Sequence, residues 1–130
     1  MEFIPFKENE TLMYKFFQVP QDLIYNELYK NKLNSDSILL YAFLLDRLSL
    51  SLKNHWYDKN GDVYLIYTRQ EFGDALHLSD KTVTKAFNQL KDLKLIAEKR
   101  QGLGKANLIY LGKIQHPDSD REKVHFLNRR

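Results

Sequence analysis

The chain has 130 residues, of which 43% are hydrophobic, and a formal net charge of +3. That length and apolar content suit one domain with its own core. The absence of cysteine excludes disulfides and cysteine-ligated zinc, and it predicts a reducing compartment. The N-terminus lacks the regions of a signal peptide, and no apolar run approaches the roughly 18 residues of a membrane span. We therefore expect a soluble, cytoplasmic protein with no membrane partner.

Residues 1–19 are predicted to form an N-terminal arm. Met1–Met13 shows no regular period, whereas the aromatic stretch Tyr14–Val19 is predicted to be an extended, strand-like piece that Pro20 ends. Such a piece could pack back on its own domain. It could also reach a second subunit, since a flat apolar strand edge invites pairing. Both alternatives stay open at the level of sequence.

Residues 20–113 are predicted to be the folded domain, and they open with two helices. Pro20 begins a short helix over Gln21–Tyr29. Its predicted apolar side consists of Leu23, Ile24 and Leu28. Asn34-Ser35-Asp36 then caps the longest helix, Ser37–Lys53, which is apolar over more than half its circumference. A helix this rich in leucine is predicted to be the central scaffold of the domain.

A polar turn and a strand follow the long helix. Val63–Tyr67 is β-branched and aromatic, which favours a strand, and Trp56-Tyr57 is expected to pair with it across an Asp58–Gly61 turn. Alternating oxygen side chains in this turn imitate the opening of a calcium loop. The match fails because Val63 and Arg69 occupy the positions of the required glycine and glutamate. We interpret the segment as a hairpin turn whose strand joins a small sheet.

Thr68-Arg69-Gln70-Glu71 is a capping box, which marks the start of the next helix. That helix has a predicted buried stripe of Phe72, Ala75 and Leu76. Gly73 lies inside it and costs roughly 1 kcal/mol relative to alanine, so we interpret it as a close crossing with the following helix. The chain turns at Leu78, and Ser79 is placed to cap that second helix.

The second helix has two contrasting faces. Its apolar side is Val83, Ala86, Phe87, Leu90 and Leu93, which recur with the helical period. The opposite side consists only of side chains that can donate hydrogen bonds, namely Lys81, Thr82, Thr84, Lys85, Asn88 and Gln89. A solvated face normally mixes both signs of charge. This helix is therefore predicted to read the acceptor-rich edges of DNA bases.

A basic hairpin follows at once. Leu95–Arg100 and Asn107–Leu111 are predicted strands, and Gln101–Ala106 is a flexible tip. From Lys81 to Lys105 there are seven Lys or Arg against two acidic residues, a balance of +5 compared with +3 for the whole chain. The residues predicted to touch phosphates are Lys99, Arg100, Gln101 and Lys105. Helix, turn, helix and hairpin together predict a winged helix-turn-helix that binds double-stranded DNA.

Catalytic and metal-binding signatures are weak by comparison. Gly102-Leu103-Gly104-Lys105 lacks the first glycine of a phosphate loop, and Ala106 stands where a Ser or Thr must bind magnesium. The histidines are scattered without metal-ligand spacing, and no nucleophile motif is present. We expect no enzyme activity, no cofactor and no metal site.

Several ordered motifs resemble one known family. They are Leu44-Leu45-Asp46-Arg47-Leu48-Ser49-Leu50-Ser51, Trp56-Tyr57-Asp58, Val63-Tyr64-Leu65-Ile66-Tyr67-Thr68, Glu98-Lys99-Arg100-Gln101-Gly102-Leu103-Gly104-Lys105 and Asn107-Leu108-Ile109-Tyr110. In this order they resemble the N-terminal domain of RepA-type plasmid replication initiators of Gram-positive bacteria, over roughly Tyr14–Leu111. The resemblance implies a winged helix-turn-helix that binds repeated sites (iterons) at a plasmid origin and helps to load the host replication machinery.

The resemblance also bears on assembly and on the C-terminus. Together with the aromatic arm, it leads us to expect a homodimer on DNA. Residues 114–130 are expected to be a linker toward an absent C-terminal domain that contacts host replication proteins. The predicted fold class is α+β, mainly α, a winged helix-turn-helix with a small antiparallel sheet and a central leucine-rich helix. Two alternatives remain: a repressor of the same fold at a promoter operator, and a winged helix used only for protein contacts.

Overall fold

The computed structural model describes residues 1–117 and contains four helices and three strands in that range. None of these helices is both long and apolar enough to cross a membrane. In chain order the elements are α1 (Asp22–Tyr25), α2 (Ser35–Lys53), β1 (Tyr64–Ile66), α3 (Arg69–Leu76), α4 (Asp80–Asp92), β2 (Ile96–Lys99) and β3 (Leu108–Leu111). The predicted order of helix, turn, helix and hairpin is confirmed.

The three strands form one antiparallel sheet in the order β1-β3-β2. Ile109 in the central strand pairs with Leu65 on one side and with Glu98 on the other. The predicted pairing of Trp56-Tyr57 is confirmed as a single bridge from Tyr57 to Val63. The Asp58–Gly61 turn is also confirmed, because the Gly61 N–H donates to the Asp58 carbonyl oxygen at 2.9 Å. The first strand therefore joins the later hairpin, as the sequence predicts.

Helix α2 is the scaffold on which the other elements pack. Its side chain Phe43 lies 5.8 Å, centroid to centroid, from Phe72 of α3, which in turn lies 5.3 Å from Phe87 of α4. All three rings are buried. Aromatic rings at these separations bury large apolar areas and add a modest attraction of about 1 kcal/mol per pair. The row of rings joins three helices, and it confirms the leucine-rich helix as the centre of the core.

The first helix is shorter than predicted. Helix α1 ends at Tyr25, since Asn26 adopts an extended backbone with ψ of 132°. The predicted side chain Leu23 is buried, but Ile24 is 46% exposed, and Tyr29 is buried in its place. The break at Asn26 ends the helical period, so residues beyond it no longer share a face with those before it. Similarly, Ala75 of α3 is exposed rather than buried.

The predicted strand at Tyr14–Val19 is wrong. Residues 1–19 contain no strand in the structure, because no other segment of the described chain offers them a hydrogen-bonded neighbour. The Phe17 ring contacts Phe43 at 5.9 Å, which fixes the end of the arm to the core. Earlier apolar side chains project into solvent, and Phe3 is 90% exposed. The arm thus contacts the core through its last aromatic residue, Phe17, while Phe3, Ile4 and Phe6 stay exposed.

Gly73 lies where helix α3 meets the turn that follows it. A Cβ at this position would lie 2.7 Å from the Leu78 carbonyl oxygen. The Leu78 N–H also donates to the Gly73 carbonyl oxygen at 2.9 Å, so both backbones are held together. The predicted close approach is confirmed, although its partner is the turn rather than the second helix itself.

Replacing Gly73 with alanine is expected to lower the free energy of unfolding by roughly 1–3 kcal/mol, because the new methyl group collides with backbone rather than with a flexible side chain. Helix propensity alone predicts the opposite sign, a gain of about 1 kcal/mol. Urea unfolding monitored by circular dichroism measures the change, and Ala75→Gly on the same helix is the propensity control. An increase in stability for Gly73→Ala would contradict the close approach.

Candidate nucleic-acid interface

Hydrogen-bonded caps set the start of both motif helices. The Thr68 Oγ1 accepts from the Glu71 N–H at 3.1 Å, and the Glu71 Oε1 accepts from the Thr68 N–H at 3.0 Å. The Ser79 Oγ accepts from the Thr82 N–H at 3.2 Å. Between the helices, His77 adopts the left-handed conformation with φ of 57° and ends α3. Both predicted caps are confirmed, and they fix the tight turn that aims α4 outward.

Helix α4 presents a polar stripe on the side opposite its buried face. Lys81, Lys85 and Asn88 are exposed at spacings of one and two helical turns. Thr82 and Thr84 flank them and are half-buried, and the Thr82 hydroxyl accepts from Ser79. The other face is buried through Val83, Ala86, Phe87 and Leu90. The structure thus places these five predicted residues on one side of the helix.

Gln89, the sixth predicted residue, is half-buried like Thr82 and Thr84, and its side-chain oxygen is bonded within the protein. Its Oε1 accepts from the Asn34 N–H at 3.0 Å and lies 2.8 Å from the buried Ser37 hydroxyl. These groups belong to the first turn of α2, where backbone N–H groups lack partners within the helix. Gln89 therefore ties α4 to the start of the scaffold helix. Helical spacing could not reveal this, because the partner lies 55 residues away.

The predicted wing residues lie around an exposed tip. Lys99, Arg100, Gln101 and Lys105 are all exposed. The tip contains Gly102 and Gly104, both with positive φ, and its Leu103 is 98% exposed. The Gln101 Nε2 donates to the Ala106 carbonyl oxygen at 2.8 Å and closes the base of the tip. The three basic side chains are therefore free of tertiary burial and face solvent.

One acidic residue lies at the junction of wing and motif helices. Glu98 of β2 accepts through Oε1 from Arg69 Nη2 at 3.1 Å and from Lys91 Nζ at 2.9 Å. Its Oε2 accepts from Asn107 Nδ2 at 3.3 Å. Burial by itself would raise the pKa of Glu98, but the hydrogen bonds from Lys91 and Asn107 and the charge of Arg69 together hold that pKa below its ordinary value.

Sequence reasoning missed the Glu98 cluster and counted its members only as net charge. Arg69 also lies over the buried Phe87 ring, with its guanidinium carbon 4.7 Å from the ring centroid. Arg69 and Glu98 are 29 residues apart, so no local pattern joins them. The one signal in the sequence was an acidic residue at an inward-facing position of the predicted strand, within a mostly basic window.

Metal chemistry has no support in the part of the chain that the structure describes. No group of three His, Asp or Glu side chains in residues 1–117 is arranged to hold an ion. The Asp58 carboxylate instead accepts from the Asn60 and Asp62 N–H groups and from the Tyr110 hydroxyl. These contacts stabilise the turn.

Comparison with known proteins assigns the chain to one family. The sequence matches the family described as the replication initiator protein A N-terminus over residues 15–124. A "41 kDa protein" of Lactobacillus helveticus is 32% identical over 110 residues, which cover 85% of this chain and 29% of that protein. The chain belongs to the replication initiator protein A N-terminal family.

Two solved structures agree with this assignment. One, an N-terminal domain of a DNA-binding protein, has a TM-score of 0.76 and 33% identity, covering 91% of this chain and 94% of its own. The other, from a Rep–DNA complex, has a TM-score of 0.75 and 34% identity, covering 85% of each chain. The predicted winged helix-turn-helix is therefore confirmed.

Replacing Gln89 with alanine is expected to destabilise the domain by roughly 1–3 kcal/mol, because the Asn34 N–H loses its partner at a half-buried site. Gln89→Glu keeps an acceptor oxygen and places a negative charge at the α2 N-terminus, so it should retain most of the stability. Thermal or urea unfolding of the two variants measures the difference. Equal loss in both variants would show that the hydrogen bond is not the cause.

Proposed function

We propose that this domain binds double-stranded DNA at repeated sites of a plasmid replication origin and thereby takes part in initiating replication. The observation that carries the proposal is the polar stripe of α4, Lys81, Lys85 and Asn88, on a helix whose other face is buried. Family membership adds the replication context. The domain has no catalytic step in this proposal.

The polar stripe suits the chemistry of the major groove. Lysine donates to the O6 and N7 acceptors of guanine, and asparagine can make a paired contact with adenine. The groove admits an α-helix, and α4 projects its stripe away from the core. Thr82 and Thr84 lie beside the stripe, where they can contact bases or adjacent phosphates. In the proposal, α4 reads the sequence.

The wing is assigned a different task. Lys99, Arg100 and Lys105 surround a tip with two glycines, which can follow a phosphate backbone but is poorly fixed for base reading. Their contribution is proposed to be mainly release of counterions from the duplex. Gln101 supports the tip through its bond to Ala106.

The partners of the whole protein belong to the proposal as well. The chain spans 29% of the length of the curated relative, so contact with host replication proteins is assigned to a region beyond this domain. A homodimer is proposed from the arm, where Phe3, Ile4 and Phe6 are exposed. Exposed apolar segments of this kind favour burial against a second copy. Two subunits would place their α4 helices about 34 Å, or a multiple of this, apart.

A repressor of the same fold is the nearest alternative, and footprinting on the native plasmid separates the two functions. Clustered repeats at the origin support initiation, whereas a single protected operator at a promoter would contradict it. A winged helix used only for protein contacts is disfavoured, because α4 exposes charged and amide side chains rather than an apolar patch.

Replacing Lys105 with alanine is expected to lower the affinity for specific DNA and for random DNA by nearly the same factor. The slope of log affinity against log salt should fall by about one unit, since one phosphate contact is lost. Lys85→Ala should instead cost about 1–3 kcal/mol at the specific site and relax its base preference. Salt titrations of each variant on both duplexes make the measurement.

The control for these variants is Lys30→Ala, which removes the same charge outside the motif and the wing. It should change neither discrimination nor slope appreciably. If Lys105→Ala lost discrimination while it kept the wild-type slope, the tip would be reading bases and the division of tasks would be reversed.

Deleting residues 1–14 is expected to weaken self-association much more than folding. The deleted side chains are exposed, and the Phe17 contact with Phe43 is retained. Sedimentation of the full and shortened chains, free and on a full DNA site, measures association, and urea unfolding checks the fold. If the undeleted chain stays monomeric at high concentration, both free and on a full DNA site, the proposed homodimer is contradicted.

A further inference from the structure

One feature that the proposed function does not explain is the carboxylate of Glu98, which lies within the basic surface proposed to bind DNA phosphates. We propose that Glu98 is a positioning residue that clamps the wing to the two motif helices and so sets where the basic tip lies relative to α4. The inference rests on the proposed DNA-binding function and deepens it. It assigns a role in DNA-binding affinity to a residue that makes no contact with DNA itself.

The contacts of Glu98 join four parts of the domain. One carboxylate oxygen is bonded to Arg69 at the start of α3 and to Lys91 near the end of α4. The other oxygen reaches Asn107, on the far side of the wing tip. The Glu98 side chain is only 11% exposed, and Arg69 is further fixed by the Phe87 ring. Both cations therefore hold β2 against the helix pair.

The position of Glu98 along the strand explains why a clamp is needed there. In β2 the side chains of Ile96 and Glu98 face inward, and Ile96 is buried in the core. The next inward position is Arg100, which is exposed. Toward the tip, Lys99 pairs with Leu108, and beyond this pair the ladder ends. Glu98 is thus the last inward anchor before the flexible tip.

Electrostatics and positioning predict opposite results when the charge is removed. A negative charge in the basic window repels phosphates, so its simple loss should strengthen binding to any DNA. A clamp predicts weaker specific binding, because the tip no longer holds its phosphate contacts in register with α4. The sign of the effect therefore separates the two roles.

The matched pair of variants is Glu98→Gln and Asp92→Asn. Both remove one negative charge from the same window, and Asp92 is exposed and makes no ion pair within residues 1–117. Glutamine is isosteric, but its amide nitrogen is a donor and would face donors that surround the carboxylate. The change in charge is the same for both, and only Glu98 touches the wing.

Fluorescence anisotropy on an origin-repeat duplex and a random duplex, over a range of salt, is the first measurement. Asp92→Asn should bind both duplexes as well as the wild type or better. Glu98→Gln should lose about tenfold on the repeat, with a salt slope lower by about one to two units, because wing phosphate contacts weaken. Circular dichroism checks that both variants stay folded.

A second measurement needs no DNA. Since the chain has no cysteine, Ala75→Cys on α3 and Leu103→Cys at the tip accept a pair of spin labels without further changes. The distance distribution between the labels should be clearly broader with Glu98→Gln than with Glu98. Asp92→Asn should leave the distribution unchanged.

Three outcomes decide the matter. Weaker repeat binding together with a broadened label distance supports the clamp. Glu98→Gln that behaves like Asp92→Asn in both measurements overturns it. If the wild-type domain does not distinguish the repeat from random DNA, the proposed function is contradicted. The label distances, which need no DNA, then still test whether Glu98 holds the wing in place.

Discussion

The structure depends on the burial of one face of α4 against α2 and α3. Phe87 and Leu90 are fully buried, and Phe87 continues the row of rings from Phe43 and Phe72. Burial of side chains of this size contributes roughly 1.5–3 kcal/mol each, which fixes the rotation of α4 about its axis. Once that rotation is fixed, the helical period places Lys81, Lys85 and Asn88 in solvent on the opposite side. The candidate interface is a geometric consequence of the core.

Polar contacts refine what the core sets. Gln89 ties α4 to the first turn of α2, while the caps at Thr68 and Ser79 fix the length of the turn between the motif helices. Glu98 similarly ties the wing to α3 and α4, at a position beyond the last buried apolar side chain of β2. These side chains make their hydrogen bonds within the protein. The exposed lysines beside them can bond to a partner, so one basic surface contains both supporting and contacting residues.

The sequence predicts this fold well where its signals are local. The capping box at Thr68, the apolar period of α4 and the wing glycines each depend on a few neighbouring residues, and the structure confirms them. The failures depend on distant partners. Gln89 and Glu98 contact residues far away in the chain. The Tyr14–Val19 segment forms no strand because the fold places no hydrogen-bonding segment beside it, and the local sequence does not show this. The break at Asn26 likewise leaves Leu28 exposed and Tyr29 buried, against the predicted helical pattern.

The central claim is that α4 and the wing form the surface that meets DNA. The most direct test is a nuclear magnetic resonance titration of the ¹⁵N-labelled domain with an origin-repeat duplex, which reports every amide at once. The account predicts the largest shift changes at residues 81–88 and 99–105, with small changes along α1. Large changes confined to α1 or to the outer face of the sheet, with α4 unaffected, would contradict it.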